Sequence, residues 1–198
     1  MDINVEILAI INQLEELDSS CHLNERYIHH LFSHRIQNEY PMSFSSDNKL
    51  HPEWATCIKD KRSGGRYKHS TDGYWPVDQE GSPGFIDFAI GDSEAPDYAI
   101  EFKMAKKLDT EGVTFDYMKL MDSRNHFKTA ISLVVYYGHK THSTLCEPEA
   151  LENCLETAQK RLKNNYSNRP HGFHVVEIID SKIVHHLVCT DNHFFENK

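Results

Sequence analysis

The sequence predicts an α/β fold, a sandwich of helices around a mixed β-sheet, and three observations carry that expectation. Ile3, Ile7, Ile10, Leu14 and Leu17 recur at alternating steps of four and three, which lays one apolar stripe along a helix. Residues 84–90 and 98–104 read as two strands facing each other across a turn-rich segment. Residues 130–137 are an almost continuous apolar run, as expected of a strand buried on both faces.

The elements follow in order. The first helix is expected over 2–18, packed on the core of the domain rather than forming a dimer seam, because two heptads are short for a coiled coil. A second helix is expected over 24–37, with Asn24 as N-cap and Ile28, Leu31, Phe32 and Ile36 inward. Pro41 then ends helical structure, and residues 41–82, rich in Ser, Gly, Pro and charge, are expected to form long loops with a short strand at 74–77. After the 84–104 hairpin come a helix at 114–127, the strand at 130–137, and a helix at 148–163. A strand pair follows at 173–179 and 182–188, turning at Asp180-Ser181. The order of one core helix, three strands, then α, β, α, β, β fits a mixed sheet. The expectation is a single domain over 1–198.

Composition narrows the function classes. With 39% hydrophobic and 26% charged residues, the chain matches a soluble globular protein and has no stretch apolar enough to span a membrane. The start, Met1-Asp2-Ile3-Asn4-Val5-Glu6, lacks the basic opening of a signal peptide, so a cytoplasmic location is expected. Cys21, Cys57, Cys146, Cys154 and Cys189 are scattered without a Cys-x-x-Cys pair, which suits reduced thiols. The fourteen histidines, including His29-His30 and His185-His186, form no recognisable zinc signature and are expected at core or surface positions. A net charge of -9 means that any nucleic-acid binding must rely on local positive patches or a metal.

Chemistry concentrates on the hairpin. A two-residue period puts Tyr98, Ile100, Phe102 and Met104 on one face of the second strand and Glu101 and Lys103 on the other. If the hairpin closes symmetrically about Glu94, Asp87 lies across from Glu101, since each is seven residues from the centre. Two facing carboxylates repel unless a proton or cation joins them. Oxygen ligands of this kind suit Mg²⁺ or Mn²⁺, and a neighbouring lysine can orient a water or stabilise charge on phosphorus.

The stretch Ser82-Pro83-Gly84-Phe85-Ile86-Asp87, a thirteen-residue gap and then Glu101-Phe102-Lys103 resembles the PD-(D/E)xK motif of restriction-endonuclease-like nucleases. The resemblance covers 24–137 and departs in one respect, since Pro83 is not adjacent to Asp87. It implies a three-layer sandwich with a central mixed sheet flanked by helices. It also implies metal ligation by Asp87, Glu101 and the backbone carbonyl of Phe102, with Lys103 serving the attacking water. Many members add a glutamate on the first core helix, a role that Glu25 fits because it shares the inward face of Ile28 and Phe32. The following helix often sends a polar residue to the site, with Lys119 the candidate here and Asp116 behind it.

Residues 59–69 contain Lys61, Arg62, Arg66, Tyr67 and Lys68, a basic stretch that could grip phosphates while Tyr67 stacks on a base; Lys106 and Lys107 add a second basic group. The functional expectation is a Mg²⁺-dependent nuclease hydrolysing DNA phosphodiesters in restriction, repair or defence, with RNA left open as substrate. A homodimer or a protein partner would suit double-strand cutting. The rivals are an idle nuclease-like fold serving as a binding or assembly module, and a hydrolase of small phosphates.

Overall fold

Among the described residues, a seven-stranded mixed sheet carries two helices on each face. The computed structural model describes residues 2–16, 24–40, 49–56, 65–138 and 147–197. Helix α1 (Ile3–Glu15) starts at Asp2, whose side chain accepts from the Asn4 amide, and α2 (Glu25–Ile36) starts at Asn24, whose side chain accepts from the Tyr27 amide. Strands β1 (Lys49–Ala55), β4 (Phe85–Gly91) and β5 (Pro96–Ala105) are antiparallel neighbours, while β2 (Gly65–Ser70) and β3 (Gly73–Gly81) form a separate hairpin. Then come α3 (Thr110–Met121), β6 (Thr129–Gly138), α4 (Pro148–Leu162), β7 (His171–Ile179), β8 (Lys182–Thr190) and β9 (His193–Glu196).

The strand order β1-β4-β5-β6-β7-β8-β9 is parallel at its centre, where α3 and α4 carry the chain from β5 to β6 and from β6 to β7. Those helices pack on one face through Val113, Tyr117, Leu151 and Leu155 against Val134 and Phe173. Helices α1 and α2 pack on the other through Ile3, Ile7, Ile28 and Phe32 against Ile100, Phe102 and Leu133. The full burial of Ile3, Ile7, Ile10 and Leu14 fits the expected core-facing stripe of the first helix. Among the described residues, no helix is long and apolar enough to cross a membrane.

The expected loops of 41–82 are corrected: within the described part of this stretch lie three strands, β1, β2 and β3, rather than one short strand at 74–77. Strand β1 holds Pro52, which an edge strand tolerates because its missing donor faces away from the ladder. The helix expected at 114–127 runs instead from Thr110 to Met121. It begins earlier because the Asp109 side chain caps it at the Gly112 amide, and it stops at Asp122, whose carboxylate turns to Arg124. The hairpin at Asp180-Ser181 has both residues at positive φ, and an unexpected second one at Asp191-Asn192 does the same, adding β9.

Candidate active site

The β4–β5 ladder pairs Phe88 with Ile100, Ala89 with Ala99 and Ile90 with Tyr98, a register that brings Asp87 opposite Glu101 when continued by one residue. There the pairing stops. Phe88 belongs to the α1–α2 face, but Ile86, two residues before it, belongs to the α3–α4 face. In β1 the same exchange separates Leu50 from Trp54. The two strands roll over together at Asp87 and Glu53, and Glu53 has φ of +51°.

The roll leaves an open seam along β5. The Asp87 carboxylate enters it and accepts from the Phe102 amide at 2.7 Å, and Glu25 accepts from the Met104 amide at 3.2 Å. Carboxylates thus occupy positions that a neighbouring strand's carbonyls would otherwise take. A strand residue points its N–H and C=O to the same edge, so the Phe102 carbonyl faces this seam as well.

Glu101 lies behind the seam, 3% exposed. Its carboxylate is in direct contact with the ammonium of Lys119, which also sits 3.1 Å from Asp116 Oδ1 and donates to the Phe85 carbonyl at 2.7 Å. Gly84 permits that approach, since a Cβ there would stand 2.9 Å from the Lys119 Cδ. Burial pushes the Glu101 carboxyl well above the ordinary range, Lys119 opposing it and Asp116 and Asp87 adding to it. Asp116 is likewise raised by burial, against the pull of Lys119 and Lys103. Glu25 is raised by burial and by Asp87, with the Met104 amide opposing. For Lys119, burial disfavours the charge, but Glu101 and Asp116 outweigh it and raise the pKa.

Lys103 shares the Glu101 face as expected, yet its ammonium lies 3.6 Å from Asp109 Oδ2. Burial opposes its charge, and Asp116, Asp109 and Glu25 together hold its pKa above the ordinary range. The lysine in contact with Glu101 is therefore Lys119. His29 was expected at an ordinary core or surface position. It stands 3.4 Å from Asp87 Oδ2 with its ring against Phe88 and Phe102, and despite burial Asp87 raises its pKa. Its signal in the sequence was its place one turn after Glu25, on the same side of α2.

The basic stretch divides. Lys61 and Arg62 lie outside the described residues. Arg66 is half-buried and Lys68 is exposed. Tyr67 corrects the expectation of a free stacking residue. It is 2% exposed, its hydroxyl donates to Asp122 Oδ2 at 3.1 Å, and that hydroxyl accepts from Asn125 Nδ2 at 2.9 Å. Lys106 and Lys107 are exposed just past the end of β5, with Lys106 lying over the Tyr137 ring.

Chemically, the seam offers the oxygens of Asp87, the Phe102 carbonyl and Glu25, with Glu101 buried behind them against Lys119. Asp87, Glu101, Glu25, Asp116 and Asp109 surround Lys119, Lys103 and His29, so at this site the acids outnumber the cations. A hard divalent cation suits that donor set. Among the described residues, no three carboxylates, imidazoles or thiols are grouped closely enough to hold a metal ion. No family model, curated protein or solved structure matches the chain.

Proposed function

We propose that this chain is a metal-dependent nuclease of the PD-(D/E)xK type, with a restriction-endonuclease-like core, which hydrolyses DNA phosphodiesters. The observation that carries the reading is the seam: Asp87 enters it at the point where β4 leaves β5, beside the Phe102 carbonyl and Glu101. Asp87, Glu101 and the Phe102 carbonyl would hold Mg²⁺ or Mn²⁺, with Glu25 behind them. The cation would supply Lewis-acid stabilisation of charge at phosphorus and lower the pKa of a bound water.

The chain's own residues do the rest. Lys119 fixes the Glu101 carboxyl in place and opposes the rise in its pKa that burial causes. Lys103, charged and half-buried on the same face, is placed to orient the attacking water or meet charge on the phosphate. His29 steadies Asp87 in the seam. Lys68, Lys106 and Lys107, exposed around the site, offer phosphate contacts that the overall charge of -9 does not.

The test is cleavage of plasmid and linear DNA with Mg²⁺, Mn²⁺ or EDTA, comparing wild type with Asp87→Ala and Lys103→Ala. Metal-dependent cutting lost in both variants supports the reading. Cutting by Asp87→Ala at the wild-type rate overturns it.

One observation favours a second reading, an idle nuclease-like fold serving as a binding module: Lys103 leans toward Asp109 and away from Glu101. Failure to cut any DNA or RNA, with binding retained, would select that reading. Activity on small phosphates that is indifferent to salt would instead indicate a small-phosphate hydrolase.

A further inference from the structure

Beside the carboxylate seam lies an open cleft of about 480 Å³, within the size range of small-ligand sites. Its floor is aromatic. Tyr74 and Phe115 stack with ring centroids 3.9 Å apart and planes 15° from parallel, and Tyr67 meets Phe115 edge-on at 5.3 Å. One wall ends in Phe85, a large apolar ring left 50% exposed two residues before Asp87. Lys68 and His69 line the cleft as exposed polar residues, and His69 stands edge-on to Tyr74 at 4.8 Å.

Lys119 joins this cleft to the candidate active site. The ammonium that contacts Glu101 and Asp116 also donates to the carbonyl of Phe85 in the cleft wall and lies 5.1 Å over the Phe115 ring in its floor. A phosphate at the carboxylates would therefore lie one buried side chain, Lys119, away from the cleft.

We infer that this cleft is a subsite for one unpaired nucleobase, near the phosphodiester that a cation at the carboxylates would hold. The inference rests on the nuclease reading and names its substrate as nucleic acid with at least one base out of the stack. A flat π-system set between Phe85 and the side of Tyr74 turned away from Phe115 would be held by stacking, which tolerates any base. Lys68 would meet the backbone, and His69 would offer a hydrogen bond to the edge of the base. A base within a duplex presents no free face and could not enter.

The experiment is fluorescence anisotropy with the whole chain in EDTA, so that nothing is cut. The probes are one short labelled single-stranded DNA, the same sequence as RNA, its blunt duplex, and a single strand of abasic sites that keeps the phosphates. The expected result is that the base-bearing DNA or RNA strand binds about 5- to 100-fold more tightly than the abasic strand and more tightly than the duplex. Phe85→Ala should lose most of that difference, while Val184→Ala, an exposed change on β8, should leave it intact. Equal affinity for abasic and base-bearing strands, tighter binding to the duplex, or an unaltered preference in Phe85→Ala overturns the inference. Failure of the nuclease reading is separable: a chain that prefers unpaired bases but cuts nothing keeps the subsite. A chain that cuts DNA with Mg²⁺ but ignores bases loses only the subsite.

Discussion

Asp87 Oδ2 accepts a hydrogen bond of 2.7 Å from the backbone amide of Phe102, fifteen residues later in the chain. That bond does the work of a missing strand pair, because β4 leaves β5 at this point. The carboxylate is held by the backbone of β5, next to the carbonyl it would share a cation with. Structural and chemical roles of Asp87 are thus separable by substitution.

Asp87→Asn keeps an oxygen for the Phe102 amide and loses the charge. Its expected stability lies within about 1 kcal/mol of wild type, with cleavage lost. Asp87→Ala leaves the amide unpaired and is expected to cost about 1–3 kcal/mol as well. Urea denaturation beside a plasmid-cleavage assay measures both, and full activity in Asp87→Asn would remove this residue from the chemistry.

Tyr67 anchors the β2–β3 hairpin through its hydroxyl. That group bridges Asn125 and the fully buried Asp122, which Arg124 grips at 2.7 Å. Tyr67→Phe should lower stability by about 1–2 kcal/mol while keeping the ring, and so leave the preference for unpaired bases unchanged. A drop in base preference without any loss of stability would contradict the anchoring role.

The pairing geometry of the hairpin was legible from counting, because Asp87 and Glu101 are equidistant from Glu94 and strand faces alternate with period two. Helix α2 was equally legible from Asn24 and its apolar stripe. The roll at Asp87 was not. It depends on Glu53 at positive φ in β1, a strand disguised by Pro52 and identified only by its partner. Tyr67 resembled a surface stacking residue because its sequence neighbours are basic, but its partners Asp122 and Asn125 come 55 and 58 residues later. Lys103 drew attention through its motif position. The Asp116–Lys119 spacing of i, i+3 was present as a sign of the other lysine, although its contact with Glu101 required the packing of α3 on β5.

His174 gives the fold an acid-sensitive point. Burial pushes it down to about 4, with His186 adding to the effect, and its Nδ1 lies 3.2 Å from His186 Nε2. The unfolded chain takes up this proton near the ordinary histidine value of 6.5, so between there and about 4 the unfolded state binds more protons. The contribution of a neutral His174 is therefore complete above about pH 6.5 and falls as the pH drops through that window. The loss is on the order of 3 kcal/mol at its lower end. His174→Leu should flatten the dependence of the urea midpoint on pH between about 7 and 5. An unchanged slope would place the acid sensitivity at another group.

Lys119 is, among the described residues, the cation in direct contact with Glu101, and it reaches Asp116 at 3.1 Å. Lys119→Met removes it with little change in volume and leaves two buried carboxylates facing each other, a change expected to cost about 3–5 kcal/mol at neutral pH. The sign with pH follows from the carboxylates. Burial already raises both, and without the ammonium they rise further, so the folded variant holds protons that the unfolded chain has released. Stability of the variant should consequently fall as pH rises above the ordinary values of 4.5 for Glu101 and 3.8 for Asp116, and recover on acidification. Adding Glu101→Gln should restore part of the loss at neutral pH, because one of the two uncompensated charges is gone. A Lys119→Met protein as stable at alkaline as at mildly acidic pH would mean that Lys103 swings from Asp109 to replace the lost ammonium, which cleavage by that variant would then report directly.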